Sequence, residues 1–156
     1  MNGIATVRTG FPFTIRSGRD NSLTGINQDT ADQIGDWQLP DDRTRGEKIA
    51  RYFNTSAFTF NALGTFGNVG INSLEGPGFW NIDTGVTRSF AIGESKRIEF
   101  RSLFYNIFNN VNLGSPAGAQ SAQGTLDLAL TSPTLGRITA TANDARIIEF
   151  GLKFVF

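Results

Sequence analysis

Residues 146–156 read RIIEFGLKFVF, and within them apolar side chains recur at every second position. Because successive side chains of a β-strand point to opposite faces, one face of this segment is entirely apolar. That face carries Ile148, Phe150, Leu152, Phe154 and Phe156. The opposite face is mixed and bears charge at Glu149 and Lys153. The pattern predicts a strand near 146–156 with one apolar and one polar surface.

The same alternation recurs near residues 97–107. One face is again mostly apolar, with Ile98, Phe100, Ser102 and Phe104. The other face carries charges of both signs, with Arg97, Glu99 and Arg101. A second two-faced strand is therefore predicted here.

Two further segments alternate less regularly. Near residues 80–90, Arg88 interrupts an otherwise apolar face close to the strand end, where its long side chain can reach the membrane interface. Near residues 4–16, Pro12 weakens the prediction because proline cannot donate a hydrogen bond to a neighbouring strand. We expect Pro12 to lie near a rim or a bulge.

The connections between these four strands differ greatly in length. A short turn, residues 91–95 with Gly93, joins the second strand to the third. The connections near 17–78 and 109–145 are long, polar and without a sustained helical period. A compact soluble domain rarely contains two such loops, whereas transmembrane barrels have short turns on one side and long loops on the other. We therefore predict an all-β antiparallel outer-membrane barrel segment with two long extracellular loops.

In such a barrel, lipid contacts one face of each strand and a polar lumen contacts the other. The predicted lipid-facing side chains of the last strand are Ile148, Phe150, Leu152, Phe154 and Phe156. The predicted lumen-facing side chains are Arg97, Glu99, Arg101, Glu149 and Lys153. We expect these charges to solvate the inner wall through cross-strand pairs. Contact with substrate or with a plug is the alternative.

The composition excludes several classes of function. The chain has no Cys and no His, which removes thiolate nucleophiles, imidazole bases and the usual transition-metal ligands. Its 14 basic and 14 acidic residues cancel, so no net field attracts nucleic acid. No apolar run reaches the roughly 18 residues of a transmembrane helix. We expect no enzymatic activity, no cofactor, no metal and no nucleic-acid partner.

The first residues, MNGIA, lack the basic region and apolar run of a secretion signal. An exported barrel needs such a signal. The sequence therefore predicts that the chain lacks its true beginning or is not exported.

Several stretches, taken in order, resemble the C-terminal end of TonB-dependent receptors. They are GFPF at 10–13, GTFGN at 64–68, GPGFWNID at 76–83, FR at 100–101, FYNIFN at 104–109 and SPTLGRI at 132–138. The resemblance is closest to the Oar-like type, whose N-terminus carries a carboxypeptidase-regulatory-like domain. It covers nearly the whole chain.

The resemblance implies energised uptake of a bulky substrate through a barrel of about 22 strands around a plugged lumen. Only about four strands are found here. The remainder of the barrel, the plug and the segment that contacts TonB would then lie outside this chain. The terminal Phe156 also resembles the signal that the barrel assembly machinery reads. The implied partners are outer-membrane lipid, that machinery and the missing parts of the receptor.

The residues leave other interpretations open. A soluble secreted β-sandwich with a loop-built binding surface is the main alternative. A glycosidase with Glu99 and Glu149 as paired carboxylates is a weaker one.

The first long loop also contains groups of residues with functional and structural interpretations. Three glycines suggest a phosphate loop or simple packing: Gly64, Gly67 and Gly70. Five acids suggest Ca²⁺ ligands or a solvated surface: Asp29, Asp32, Asp36, Asp41 and Asp42. Four bases suggest anion capture or neutralisation of those acids: Arg43, Arg45, Lys48 and Arg51. Five aromatics suggest ligand contact or packing on the barrel rim: Trp37, Tyr52, Phe53, Phe58 and Phe60.

Overall fold

The computed structural model describes residues 1–116 and 126–156 and divides the chain into two compact units. The sheet unit comprises Met1–Arg8, Gly78–Asn112 and Ala142–Phe156. The loop unit comprises Thr9–Pro77 and Leu113–Thr141. Part of the predicted loop near 109–145, residues 117–125, lies outside the described residues.

The described residues form β-strands, one short α-helix and a 3-10 helix at Thr55–Ala57. In chain order they are β1 (Asn2–Arg8), β2 (Pro12–Arg16), β3 (Asp32–Gln33), α1 (Arg45–Ala50), β4 (Phe58–Thr59), β5 (Leu74–Glu75), β6 (Phe79–Ile92), β7 (Lys96–Tyr105), β8 (Leu126–Ala129) and β9 (Ile147–Val155). The predicted all-β class is confirmed.

The sheet unit is an antiparallel sheet with the strand order β1-β6-β7-β9. Within this sheet the strands follow one another in chain order, so the sheet is a meander. Residues 93–95 join β6 to β7. Gly93 opens this turn with φ of +73°, a conformation that glycine adopts without strain. Both long connections leave the sheet at the end opposite to this turn. Among the described residues the sheet does not close, because β1 and β9 each pair with one strand.

The prediction of a single strand near 4–16 is wrong, because this segment contains two strands that belong to different sheets. β1 pairs with β6, whereas β2 pairs with β5 and β8. Residues 9–11 between them belong to no strand, and at Gly10 an added Cβ would collide with the backbone of Gly76. Pro12 is the first residue of β2, a position at which proline is tolerated.

The loop unit has a hydrophobic core of its own. Its three-stranded sheet has the order β5-β2-β8, and β2 runs parallel to β8, unlike the antiparallel pairs of the sheet unit. β3 and β4 form a second, two-stranded sheet. The two predicted loops are therefore folded segments that share one unit. Sequence pattern missed this because strands of two to five residues are too short to show a period.

Aromatic and aliphatic side chains from both long connections build that core. Phe53 lies at its centre, with ring centroids 5.7 Å from Phe13 and 5.8 Å from Phe58. Ile15, Leu74 and Leu128 are further large apolar side chains of this core that are fully buried. Burying each such side chain contributes roughly 1.5 to 3 kcal/mol, which fixes segments that have little regular structure.

Helix α1 is only six residues long but has a well-formed start. The Thr44 side chain accepts from the backbone N–H of Glu47, and the Glu47 carboxylate accepts from the backbone N–H of Thr44. The hydrogen bond from the Thr44 hydroxyl lowers the pKa of Glu47. This reciprocal capping stabilises a helix too short to persist alone.

Candidate functional site

The predicted lipid-facing residues of β9 lie directly beside the apolar residues of β7 in the register of the sheet. Phe154 is the Cα partner of Ile98, Leu152 that of Phe100, and Phe150 that of Ser102. Paired residues share a face, so these side chains form one apolar surface across β7 and β9. The rings of Phe100 and Phe150 stack at 6.0 Å.

This apolar surface is open. Leu152 is 73% exposed and Phe150 is 69% exposed, and Val86, Phe90 and Ile92 extend the surface onto β6. Phe156 lies one residue beyond the end of β9, yet its ring remains 5.9 Å from that of Phe154. Water-soluble proteins rarely expose so continuous an apolar surface.

The five residues predicted to face the lumen all lie on the opposite face of the same sheet. Glu99 is the Cα partner of Lys153, so opposite charges stand directly across β7 and β9. The other predicted charges have uncharged partners: Arg97 with Val155, Arg101 with Gly151, and Glu149 with Leu103. One of the expected cross-strand charge pairs is thus in register.

Glu99 and Glu149 are not neighbours in this register. The Cα partner of Glu99 is Lys153, four residues from Glu149, which corresponds to about 13 Å along the strand. Paired carboxylates of glycosidases lie about 5 to 9.5 Å apart. The spacing gives the glycosidase alternative no support.

A sheet with one open apolar face and one charged face is the geometry expected of a membrane barrel wall. A family model for an outer membrane β-barrel domain matches residues 1–149. The chain belongs to this family. No curated protein and no solved structure matches it. The protein is located in the outer membrane, so the soluble secreted sandwich is set aside.

The apolar face of the barrel sheet carries aromatic side chains at both ends. Trp80 lies with Phe108 near the long connections, at a centroid distance of 6.0 Å, and Phe90 lies near the short turn. Ten residues separate Trp80 from Phe90 on β6, which at the usual strand tilt corresponds to about 25 Å along a barrel axis. This matches the height of the apolar band between the aromatic girdles of outer-membrane barrels.

An asparagine network joins the barrel strands to the ends of the second long connection. The buried Asn106 has φ of +51°, and its amide donates to the backbone oxygens of Asn110 and Asp144 at 2.9 and 3.0 Å. Its backbone N–H donates to Asp83 Oδ1 at 2.8 Å. Asn109 also has φ of +51°, and its Oδ1 accepts from the backbone N–H of Arg146 at 3.0 Å.

Asn112 completes this network beside Trp80, a residue of β6 that pairs with β1 but has no partner in β7. Its Oδ1 accepts from the backbone N–H of Trp80 at 3.0 Å, and its Nδ2 donates to the Trp80 carbonyl at 2.9 Å. One side chain thereby satisfies both backbone groups of a barrel residue. The alternation of apolar residues gave no indication of this role, although the richness of 106–112 in asparagine is visible in the sequence.

In the loop unit, two aspartates hold residues 20–29 in a fixed conformation. Asp20 accepts from the backbone N–H groups of Thr24 and Gly25 at 3.0 and 2.7 Å. The buried Asp29 accepts from the hydroxyl and the backbone N–H of Ser22 at 2.6 and 2.7 Å. The hydrogen bond from the Ser22 hydroxyl is the main reason that the pKa of Asp29 is lowered.

This loop forms one side of a pocket of about 390 Å³. Val69 is buried in its wall, and Ile26, Phe66 and Ile71 line it with largely exposed apolar side chains. Its polar lining consists of Arg16, Thr24, Gln28, Asp29 and Thr30. Small-molecule sites typically have volumes of about 300 to 1,000 Å³ and a mostly apolar lining with a few polar groups. The pocket has no signature in the sequence because its walls come from separate segments.

The groups singled out in the first long loop have structural roles in the loop unit. Phe53 and Phe58 belong to its core, and Trp37 and Tyr52 pack against it. Their predicted packing on the barrel rim is therefore replaced by packing within the unit. Arg43 donates to the backbone oxygens of Pro40, Arg51 and Tyr52.

The glycines and acids of this loop were also singled out as possible phosphate or Ca²⁺ sites. Gly67 fits against the backbone of Thr30, where a Cβ would collide. Within residues 1–116 and 126–156, no three acidic side chains are grouped as metal ligands. The helix in these ranges is too short and too polar to span a membrane.

Proposed function

We propose that the protein is a TonB-dependent outer-membrane transporter of the Oar-like type. In this proposal the chain supplies barrel strands and the loops at the substrate entrance, and it catalyses no reaction. The observation that carries the proposal is that the chain contains two different units. One unit is a sheet with the two faces of a barrel wall, and the other is a folded loop unit with a pocket.

The orientation follows from the connections. Outer-membrane barrels have short periplasmic turns and long extracellular loops. The turn at residues 93–95 is then periplasmic, and the loop unit is extracellular. Ile148, Phe150, Leu152, Phe154 and Phe156 face lipid, whereas Arg97, Glu99, Arg101, Glu149 and Lys153 face the lumen.

The partners follow from the open edges of the sheet. An unpaired strand edge cannot remain in lipid, because its backbone groups have no water to bind. Further strands of the barrel must therefore pair with β1 and β9. The barrel assembly machinery is the proposed partner of β9 during insertion, and a plug with a TonB-contacting segment occupies the lumen in the complete receptor.

Energy coupling distinguishes this transporter from a passive channel. We expect deletion of the gene to abolish uptake of a specific nutrient in a panel of peptides, glycans and metal chelates. Deletion of TonB, or collapse of the proton gradient with an uncoupler, should abolish the same uptake. Uptake that depends on the protein but continues in the presence of the uncoupler would contradict the proposal.

The pocket of the loop unit is the proposed point of first contact with that nutrient. Its apolar lining favours a ligand with an uncharged apolar group. Phe66→Ala should weaken binding of the identified nutrient to the purified receptor, measured by calorimetry. Leu63→Ala is the matched control, because Leu63 is 74% exposed against 72% for Phe66 and does not line the pocket. Equal affinities of the two variants would exclude the pocket as the contact site.

A further inference from the structure

We propose that Arg88 and Lys96 bind the phosphate of an anionic phospholipid at the short-turn end of the barrel. The inference rests on the proposed lipid-facing assignment but is independent of TonB coupling. Both cations lie on the apolar face of the sheet, which is otherwise nearly free of charge. A cation on such a face needs an anionic or aqueous partner.

The position of Arg88 on the face is fixed by register. It is the Cα partner of Phe100, which pairs in turn with Leu152, so its row is otherwise apolar. Two residues along β6, Phe90 marks the aromatic level near the turn. This separation corresponds to about 5 Å along the barrel axis. Arg88 therefore begins just inside the apolar band.

The side chain of Arg88 turns toward that aromatic level. Its guanidinium carbon lies 5.6 Å from the ring centroid of Phe90, a cation–π contact. The charged group thus reaches the level at which lipid headgroups begin, as expected of a snorkelling arginine. Arg88 itself is an exposed residue.

Lys96 lies on the turn side of the same level. It is the Cα partner of Ile92, which shares the apolar face with Phe90 and lies one row closer to the turn. The two cations therefore lie on either side of the Phe90 row. Within residues 1–116 and 126–156, no carboxylate forms an ion pair with Arg88 or Lys96, although Glu94 is in the adjacent turn.

A phosphate diester suits this arrangement better than a free anion. Arginine forms forked hydrogen bonds with phosphate oxygens, and lysine adds a point charge. The apolar side chains next to the cations accept acyl chains, which a soluble anion does not have. With the turn on the periplasmic side, the phosphate belongs to the inner leaflet of the outer membrane.

The test uses the complete receptor in detergent, titrated with short-chain phosphatidylglycerol and observed by native mass spectrometry. We expect wild-type protein to bind phosphatidylglycerol more tightly than phosphatidylcholine. Arg88→Gln and Lys96→Gln should each weaken that binding by about fivefold, the effect of one basic residue at an anionic lipid surface. Arg88→Lys keeps the charge and should retain most of the affinity.

Arg101→Gln is the matched control, because it removes one positive charge from the opposite face of the same sheet. It should leave phosphatidylglycerol binding unchanged. Unchanged binding in a folded Arg88→Gln, Lys96→Gln double variant would overturn the inference, with folding checked by circular dichroism. Stronger binding of lipid A through the same two residues would reject the phospholipid assignment. The two proposals can also fail separately. If the Arg88 and Lys96 variants lose phosphatidylglycerol binding but the wild-type protein supports no TonB-dependent uptake, the lipid site is retained and the transporter proposal is rejected.

Discussion

At the level of single residues, the face on which a side chain lies decides what its substitution does. Phe150, Leu152 and Phe154 lie on the open apolar face of β9. Replacing any of them with Arg should reduce the free energy of unfolding in a bilayer by about 2 to 4 kcal/mol near the midplane, and by less near an interface. Reversible unfolding of the complete barrel in liposomes measures this loss.

The control for this prediction is Glu149→Arg, which introduces the same side chain on the charged face of the same strand. The cost should stay below about 1 kcal/mol, because a lumen-facing charge remains solvated. If Phe150→Arg and Glu149→Arg were equally stable, the proposed lipid-facing assignment would be wrong.

Asn112 provides a second residue-level prediction. Asn112→Ala removes both hydrogen bonds to the backbone of Trp80 and should lower stability by about 1 to 3 kcal/mol, the penalty of leaving polar groups unsatisfied. The same unfolding measurement detects it. Asn2→Ala, an exposed asparagine of the same sheet, should have little effect. Equal stability of both variants would show that water replaces the Asn112 side chain.

At the level of the element, the loop 20–29 should be sensitive to acid. The pKa of Asp29 is lowered in the folded protein, so its ionised form stabilises this loop above the ordinary aspartate pKa of about 4. That stabilisation is lost as the pH falls through the lower, folded pKa. The protection of amides 20–29 from hydrogen exchange, relative to the intrinsic rate at each pH, should therefore fall between about pH 4 and that value.

Asp29→Asn tests the cause, because it should make exchange fast at neutral pH and remove most of the acid dependence. Asp41→Asn changes an exposed carboxylate of the same unit and should leave the profile unchanged. An acid-dependent profile that survives Asp29→Asn would assign the effect to another group.

Long elements were predictable and short ones were not. β6, β7 and β9 have nine or more residues each, so alternation is repeated often enough to identify both faces. The division between β1 and β2 was missed because the period of two continues through Gly10, whereas the close approach of Gly10 to the distant Gly76 is a tertiary contact. Local pattern carries no information about such a contact.

For the molecule as a whole, the open apolar face predicts how the protein behaves in extraction. We expect the complete protein to stay with the outer membrane after washing with salt and carbonate, and to enter solution only with detergent. Immunoblotting of the fractions measures this. Recovery in the detergent-free supernatant would contradict a lipid-facing sheet.

The fold of the loop unit could not be predicted from the sequence. Its core combines Phe13 of β2 and Phe53 of the first long connection with Leu128 of the second. No periodic signal links residues so far apart, and the composition of these segments resembles that of ordinary loops. The pocket between residues 20–30 and 66–71 depends on the same long-range packing. The loop unit and its pocket can be recognised only from the packing of this shared core.

The shared core also determines what a protease can do. Residues 34–42 are largely exposed, so a protease at the cell surface can reach them. The two pieces would remain associated, because Phe13 lies before the cut and Phe53 after it, in contact with each other. The nicked protein should therefore migrate as one particle under native conditions and as two bands after denaturation. Cleavage within residues 34–42 would leave the loop unit assembled.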